Sequence, residues 1–199
     1  GIRQLDYLVL SHADTDHTGA FTEVLKAYPN VKLIADFETG FSQQPCLSLP
    51  VYYLDAELWS FRSKNQLKEG NDSSCVLAIK SAGWQTLLTG DIGHSVEAEL
   101  LLAQPNLRSD LLLLGHHGSK SSSQLNFLSR VQPLVALNSA ASNNAYGHPS
   151  AEVLGRLALL RIPLLNTAEQ GAVRIEMTEQ QLHIWLYRQQ PLPFWLQKQ

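Results

Sequence analysis

The run Ser11-His12-Ala13-Asp14-Thr15-Asp16-His17-Thr18-Gly19 places four residues of metal-ligating type, His12, Asp14, Asp16 and His17, within six positions. Imidazole nitrogens and carboxylate oxygens together suit zinc, manganese or iron. Two of these ligands can face one ion and two its neighbour, so the loop can seed a dinuclear site. Residues 5–10, just upstream, are mostly apolar and have the length of a buried strand. Such a strand delivers all four side chains together, where the chain turns towards the next helix. A solvated loop rich in Asp and Thr is the plainer alternative, but such loops rarely carry this pattern behind an apolar strand.

Three later segments repeat the theme of an apolar strand ending in polar chemistry. In Thr86-Leu87-Leu88-Thr89-Gly90-Asp91 an acid follows a strand and a glycine. Asp91 then lies where a carboxylate can bridge two cations, with capping of the following helix as the competing role. In Leu111-Leu112-Leu113-Leu114-Gly115-His116-His117-Gly118-Ser119-Lys120 two histidines stand between glycines at a strand's end. Packing gives them little to do there, so at least one is expected to bind metal or move a proton. Ser119, Lys120 and the serines at 121–123 lead into the next helix. Hydroxyls, an ammonium and helix N-terminal amides make a seat for phosphate, although N-capping explains the serines equally well. Finally, Asn143-Asn144-Ala145-Tyr146-Gly147-His148-Pro149 returns His148 towards the same sheet edge. Asn143 is counted with the phosphate contacts, and Pro149 suits the first turn of a helix. His94 fits a supporting place behind Asp91, and His183 a structural one.

The elements that must position these residues alternate along the chain. Strands are expected over 5–10 and 31–35, around a helix over 20–28. Residues 36–58 read as irregular because Pro45 and Pro50 oppose regular structure. A strand over 58–62 precedes a hairpin of 75–80 and 84–89. Helices over 95–103, 124–131 and 150–160 alternate with strands over 111–114 and 134–138, and Ser150 is read as an N-cap. Strands over 163–165, 172–177 and 182–187 close the domain, and 189–199 is read as a tail. This is the layered pattern of an α/β domain.

At 199 residues, 44% hydrophobic and 17% charged, the chain has material for one folded domain and is unlike a disordered one. A net charge of −3 advertises no nucleic-acid binding, yet bound cations can supply a local positive field. Cys46 and Cys75 are too few for a zinc framework. Cys75 reads as a small buried hydrophobe, with a Cys46–Cys75 disulfide open in an oxidising compartment. No stretch is apolar over a membrane-spanning length. The chain enters a strand almost at once, as a fragment of something longer would.

Together these motifs resemble the metallo-β-lactamase superfamily and, within it, the C-terminal domain of the ComEC family of DNA-internalisation proteins. The likeness lies in residues 11–19, Asn-Asp-Ser-Ser-Cys-Val-Leu at 71–77, Leu-Leu-Thr-Gly-Asp-Ile at 87–92, and His-His-Gly-Ser at 116–119. It continues through Asn-Ser-Ala and Tyr-Gly-His-Pro within 138–149 and Gly-Ala-Val-Arg-Ile at 171–175. The resemblance implies an αββα sandwich over 1–188 with a dinuclear site at one edge. The paired strands that open the superfamily fold have no counterpart before Gly1, which implies an exposed sheet edge. By carry-over, His12 and Asp14 serve one metal, and Asp16 and His17 the other. Asp91 bridges them, His148 completes the second, and His116 or His117 is a further ligand or the proton donor to the leaving oxygen.

The superfamily usually has histidine where Asp14 stands, and a further ligand histidine where this chain has Asn71 and Asp72. Oxygen in place of nitrogen shifts preference towards manganese or magnesium and away from zinc. The implied activity is hydrolysis of DNA assisted by two divalent ions, degrading the strand that is not imported. Asp16 would handle the attacking water, and His116, His117 and Lys120 the scissile phosphate. Single-stranded DNA is the implied substrate, and the transmembrane channel of the parent chain the implied partner. The setting would be a domain outside the cytoplasm, on a bacterial inner-membrane protein and not itself inserted. Two alternatives are hydrolysis of a small ester or lactone and a non-catalytic domain that binds DNA or a partner.

Overall fold

The computed structural model describes residues 2–64 and 70–188. Its first sheet is small and parallel, formed by β1 (Tyr7–Val9), β2 (Lys32–Ile34) and β3 (Gln43–Gln44) in that order, with β1 at an edge. Two helices, α1 (Thr15–Thr18) and α2 (Phe21–Ala27), connect β1 to β2. Buried Leu10, Leu33 and Ala35 pack with Leu8, Phe21 and Leu25 to make this sheet's own core.

The second sheet has seven strands: β4 (Tyr52–Tyr53), β5 (Ala56–Phe61), β6 (Val76–Ser81), β7 (Trp84–Leu88), β8 (Leu111–Leu113), β9 (Val135–Asn138) and β10 (Leu164–Asn166), adjacent in sequence order. β4 to β7 pair antiparallel, and β7 to β10 run parallel. The parallel part needs crossovers, supplied by α3 (His94–Ala103), α4 (Leu125–Val131) and α5 (Ala151–Leu160). Val96, Leu100, Phe127, Leu128, Val153 and Leu157 from these helices are buried against Val76, Leu87, Leu112 and Ala136 of the sheet. The short helix α6 (Thr167–Gln170) and a hairpin of β11 (Val173–Met177) and β12 (Leu182–Leu186) follow.

The regular elements fall within a residue or two of those expected. Ser150 caps α5 as read, its hydroxyl accepting from the Val153 N–H. The β6–β7 turn is tighter than expected: Ser81 pairs with Trp84, so Ala82 and Gly83 alone turn, both at positive φ.

Three expectations need correction. Residues 36–58 are not wholly irregular, since they contain β3, β4 and the start of β5. The glutamines of β3 carry no apolar alternation, and their pairing with β2 is a backbone matter that periodicity cannot register. The metal-ligand loop is not all loop, because α1 lies inside it. Cys75 is buried but not free: it forms a disulfide with Cys46, their Cα atoms 5.8 Å apart. The link joins the segment after β3 to the start of β6, and so ties the small sheet to the large one. The segment 189–199 read as a tail lies outside the described residues.

Candidate metal centre

In parallel α/β sheets, ligand sites form beyond the carboxyl ends of the strands, where loops from neighbouring strands converge. Here β1 leads into His12–His17, β7 into Asp91, β8 into His116 and His117, and β9 into the loop bearing His148. Direct bonds tie these loops together. The Cys75 N–H donates to Ser11 O over 2.8 Å, and the His116 N–H to Gly90 O over 3.2 Å.

His12 is fully buried, with Nδ1 3.1 Å from Ser11 Oγ and 3.3 Å from Ser74 Oγ. Ser74 spends its own hydroxyl proton on Asn71 O (2.7 Å), so it can accept Nδ1–H. That tautomer leaves Nε2 as a lone pair, and Nε2 is buried with no hydrogen-bond partner. It faces Asp14 Oδ2 at 3.6 Å and Asp91 Oδ2 at 3.8 Å. Burial, then the neighbouring His17, hold the His12 pKa below the ordinary histidine value against the pull of the carboxylates. A neutral imidazole aiming a lone pair at two carboxylates has the donor arrangement of a cation ligand.

Asp14 sits in extended backbone at the start of α1 without capping it by its side chain, which frees the carboxylate. One turn on, His17 has Nδ1 3.0 Å from Ser11 Oγ and Nε2 3.3 Å from Asp91 Oδ1. The hydrogen bond to Asp91 raises the His17 pKa despite partial burial. Asp91 is buried. Desolvation pushes its pKa up, but the His17 bond and the electrostatic pull of the neighbouring His17, His117 and His12 rings outweigh this, and the net direction is down.

His117 reaches in from the other side, 3.0 Å from Asp16 Oδ2 and 3.8 Å from Asp91 Oδ2. Its Nδ1 lies 2.7 Å from Ser139 O, which can only accept, so Nδ1 carries a proton and the ring is oriented with Nε2 towards the Asp16 carboxylate. Ligand atoms of Asp16, His17, Asp91 and His117 all lie within 4.8 Å of one another. Asp91 thus stands between this quartet and the His12–Asp14 pair.

The other sequence candidates lie around this centre. His148 is not brought into the quartet. Its ring lies 5.8 Å from that of His116, and burial with the nearby His116 and His117 lowers its pKa. His116 also points away from the quartet, its ring nitrogens 3.3 and 3.4 Å from Asn71 Nδ2 and Nδ1 3.5 Å from Ser121 Oγ. It lines a groove of about 680 Å³ with Asn71, Asp72, Asp91, His94 and Ser121. Ser119 is buried behind this wall, 3.0 Å from Ser121 Oγ, while Lys120 and Asn143 are exposed.

The expected phosphate seat on the amides before α4 is not available. The buried Glu97 carboxylate accepts the N–H groups of Ser123 and Gln124 and occupies it. Asp72 is likewise committed, accepting from Gly93 N (2.8 Å) and Ser95 Oγ (3.2 Å). Sequence reading missed the supports Ser11, Ser74 and Ser139. All three lay within motifs already singled out, but none offers a ligand-type side-chain atom that would have marked it.

Residues 1–140 match the family model described as the metallo-beta-lactamase superfamily. The chain belongs to the metallo-β-lactamase superfamily. Among its relatives is ComE operon protein 3 of Bacillus subtilis, 33% identical over 87% of this chain and 25% of that protein. Competence protein ComA of Neisseria gonorrhoeae is 35% identical over 98% of this chain and 29% of that protein. Recombination protein 2 of Haemophilus influenzae is 32% identical over 90% and 23%. These bear out the ComEC resemblance, and the chain spans about a quarter of the length of each.

Among solved structures, the metallo hydrolase Igni18 of Ignicoccus hospitalis has a TM-score of 0.56 at 14% identity, covering 90% of this chain and 79% of its own. A Parabacteroides distasonis protein assigned as a metal-dependent hydrolase also reaches 0.56, at 10% identity over 84% and 78%. Both show the fold, an α/β metallo-hydrolase sandwich as expected. Among the described residues no helix is long and apolar enough to cross a membrane.

Proposed function

We propose that this superfamily member is a metal-dependent phosphodiesterase that hydrolyses DNA, degrading the non-transported strand during uptake in natural transformation. The observation that carries the reading is the position of Asp91 between the orphaned His12 Nε2 with Asp14 and the quartet it shares with Asp16, His17 and His117. This donor set fits two divalent ions, one on His12, Asp14 and Asp91, the other on Asp91, Asp16, His17 and His117. Its oxygen content favours manganese over zinc. The names of the relatives support the uptake context.

When bound, such ions acidify a water and neutralise charge on a leaving oxygen. The chain's own side chains do the rest. Asp16, exposed and bonded to His117, orients the attacking water and accepts its proton. His116, on the groove wall and steadied by Asn71, protonates the leaving oxygen. Lys120 and Asn143 contact the phosphate from the rim, and Ser119 acts through Ser121. His148 is kept as a candidate ligand for the second ion only on the strength of the family pattern.

Mn²⁺-stimulated cleavage of single-stranded DNA, abolished by His12→Ala and by Asp16→Ala, is the expected result. Full activity of both variants under matched metal would overturn the assignment. The Cys46–Cys75 disulfide supports an oxidising, extracytoplasmic setting, as a domain of an inner-membrane competence channel.

A second reading, a non-catalytic DNA- or partner-binding domain, draws on Asn71 and Asp72, which add no ligand where the family has one. Metal content near zero in saturating Mn²⁺ would favour it. Hydrolysis of a small ester gains less, because the groove is lined by polar side chains. Failure of DNA to compete with an ester substrate would favour that reading instead.

A further inference from the structure

His148 lies outside the quartet, yet its loop is held firmly against the site. Asn144 clamps it twice, Nδ2 donating to His148 O (2.6 Å) and Oδ1 accepting from His148 N (2.8 Å). Pro149 packs on Gly118, where a Cβ would come within 2.7 Å of the proline ring. Such a clamp fixes whatever the loop displays, and what it displays is Tyr146. This ring is 83% exposed although tyrosine has a large apolar face to hide. It stacks on the His148 imidazole, with centroids 5.7 Å apart and planes inclined by 21°. His148 packs edge-on to His116 at 5.8 Å, and His116 to His117 at 6.5 Å. A continuous series of rings therefore runs from the candidate metal centre, past the groove, to an aromatic face open to water.

We propose that Tyr146 is a stacking platform for a nucleobase of a single-stranded polynucleotide whose phosphodiester lies in the His116 groove. The proposal rests on the nuclease reading and adds the way a strand is recognised. The imidazole lies offset against one side of the Tyr146 ring, and the rest of the ring stays open to a ligand π face. Every base has such a face, so stacking is indifferent to sequence. Bases in a duplex are already stacked on one another, so the platform selects single strands. His148 is then a positioning residue that fixes the angle of the tyrosine.

The test compares binding of fluorescently labelled oligothymidylate with that of an equally long strand whose sugars carry no bases, read by anisotropy. Wild-type protein is expected to prefer the strand with bases by about tenfold. Tyr146→Ala loses this preference and Tyr146→Trp keeps it. His148→Ala loses it as well, and His148→Phe, which restores a ring beneath the tyrosine, recovers it. An unchanged preference in Tyr146→Ala, or none in the wild type, would overturn the platform. If DNA is cleaved but the preference survives Tyr146→Ala, the platform fails and the nuclease reading stands. If DNA is bound with the expected dependence on Tyr146 but never cleaved, the nuclease reading fails and the platform stands.

Discussion

Ser74 shows how a residue without a ligand atom can govern a metal centre. Its oxygen accepts the Asp91 N–H over 3.0 Å, lies 3.3 Å from His12 Nδ1 and donates to Asn71 O. It thereby sets the His12 tautomer and the position of the shared carboxylate. Ser74→Ala leaves a buried N–H unpaired, at about 1–3 kcal/mol of unfolding free energy in urea melts. Its Mn²⁺ affinity in calorimetric titration should fall by about 10- to 100-fold, as for other groups that orient ligands. Gly90 supports the same geometry from beneath. Its φ is +56°, and a Cβ there would lie 2.8 Å from the Ser74 Cβ. Gly90→Ala is therefore expected to cost about 1–3 kcal/mol in the same melts, whereas alanine at the open Gly155 should not. The left-handed φ of His116 (48°) and His117 (53°) is a further local strain, held because each side chain is bonded on a different side of the turn.

At the scale of elements, the junction of α3 with α4 stores a pH dependence. Glu97 of α3 is buried, and its carboxylate accepts the two amides that open α4. Desolvation nevertheless dominates and lifts its pKa from 4.5 to about 7. Because the folded state holds this proton more tightly than the unfolded chain, the group's stabilising contribution is complete below pH 4.5 and is lost as pH rises through about 7. Relative to Glu97→Gln, wild-type stability should fall between those values by an amount on the order of 3 kcal/mol at most. Urea melts of both proteins across that range, without added metal, check this; parallel curves would refute it. The same carboxylate explains why α4 offers no phosphate seat. The run of serines at 119–123 was legible as a helix start, but not that an acid from the preceding helix would fill it.

At the scale of the molecule, the Cys46–Cys75 disulfide joins the two sheets beside the site, since the Cys75 N–H bonds the carbonyl just before His12. Closing a loop of 29 residues is worth about 3–4 kcal/mol in the chain-entropy view. Cys46→Ser with Cys75→Ser should lose about that much stability and weaken Mn²⁺ binding, and the wild type should follow it when fully reduced. Retention of metal affinity after reduction would show that the sheets hold their register without the link.

The order of the longer elements, the strand-end position of every chemical motif and the family were determined by the sequence alone, while the short α1, β3 and β4 were not. Apolar runs and the residues that punctuate them are local properties, readable wherever they stand. The partners were decided only in three dimensions. That His117 and not His148 joins Asp16, His17 and Asp91 depends on which side of a left-handed turn each ring leaves. That Glu97 fills the α4 terminus, and that Cys75 finds Cys46, depends on how helices and sheets pack. Such choices are made between groups far apart along the chain, by the geometry that brings them within a few ångströms, and no local pattern encodes it.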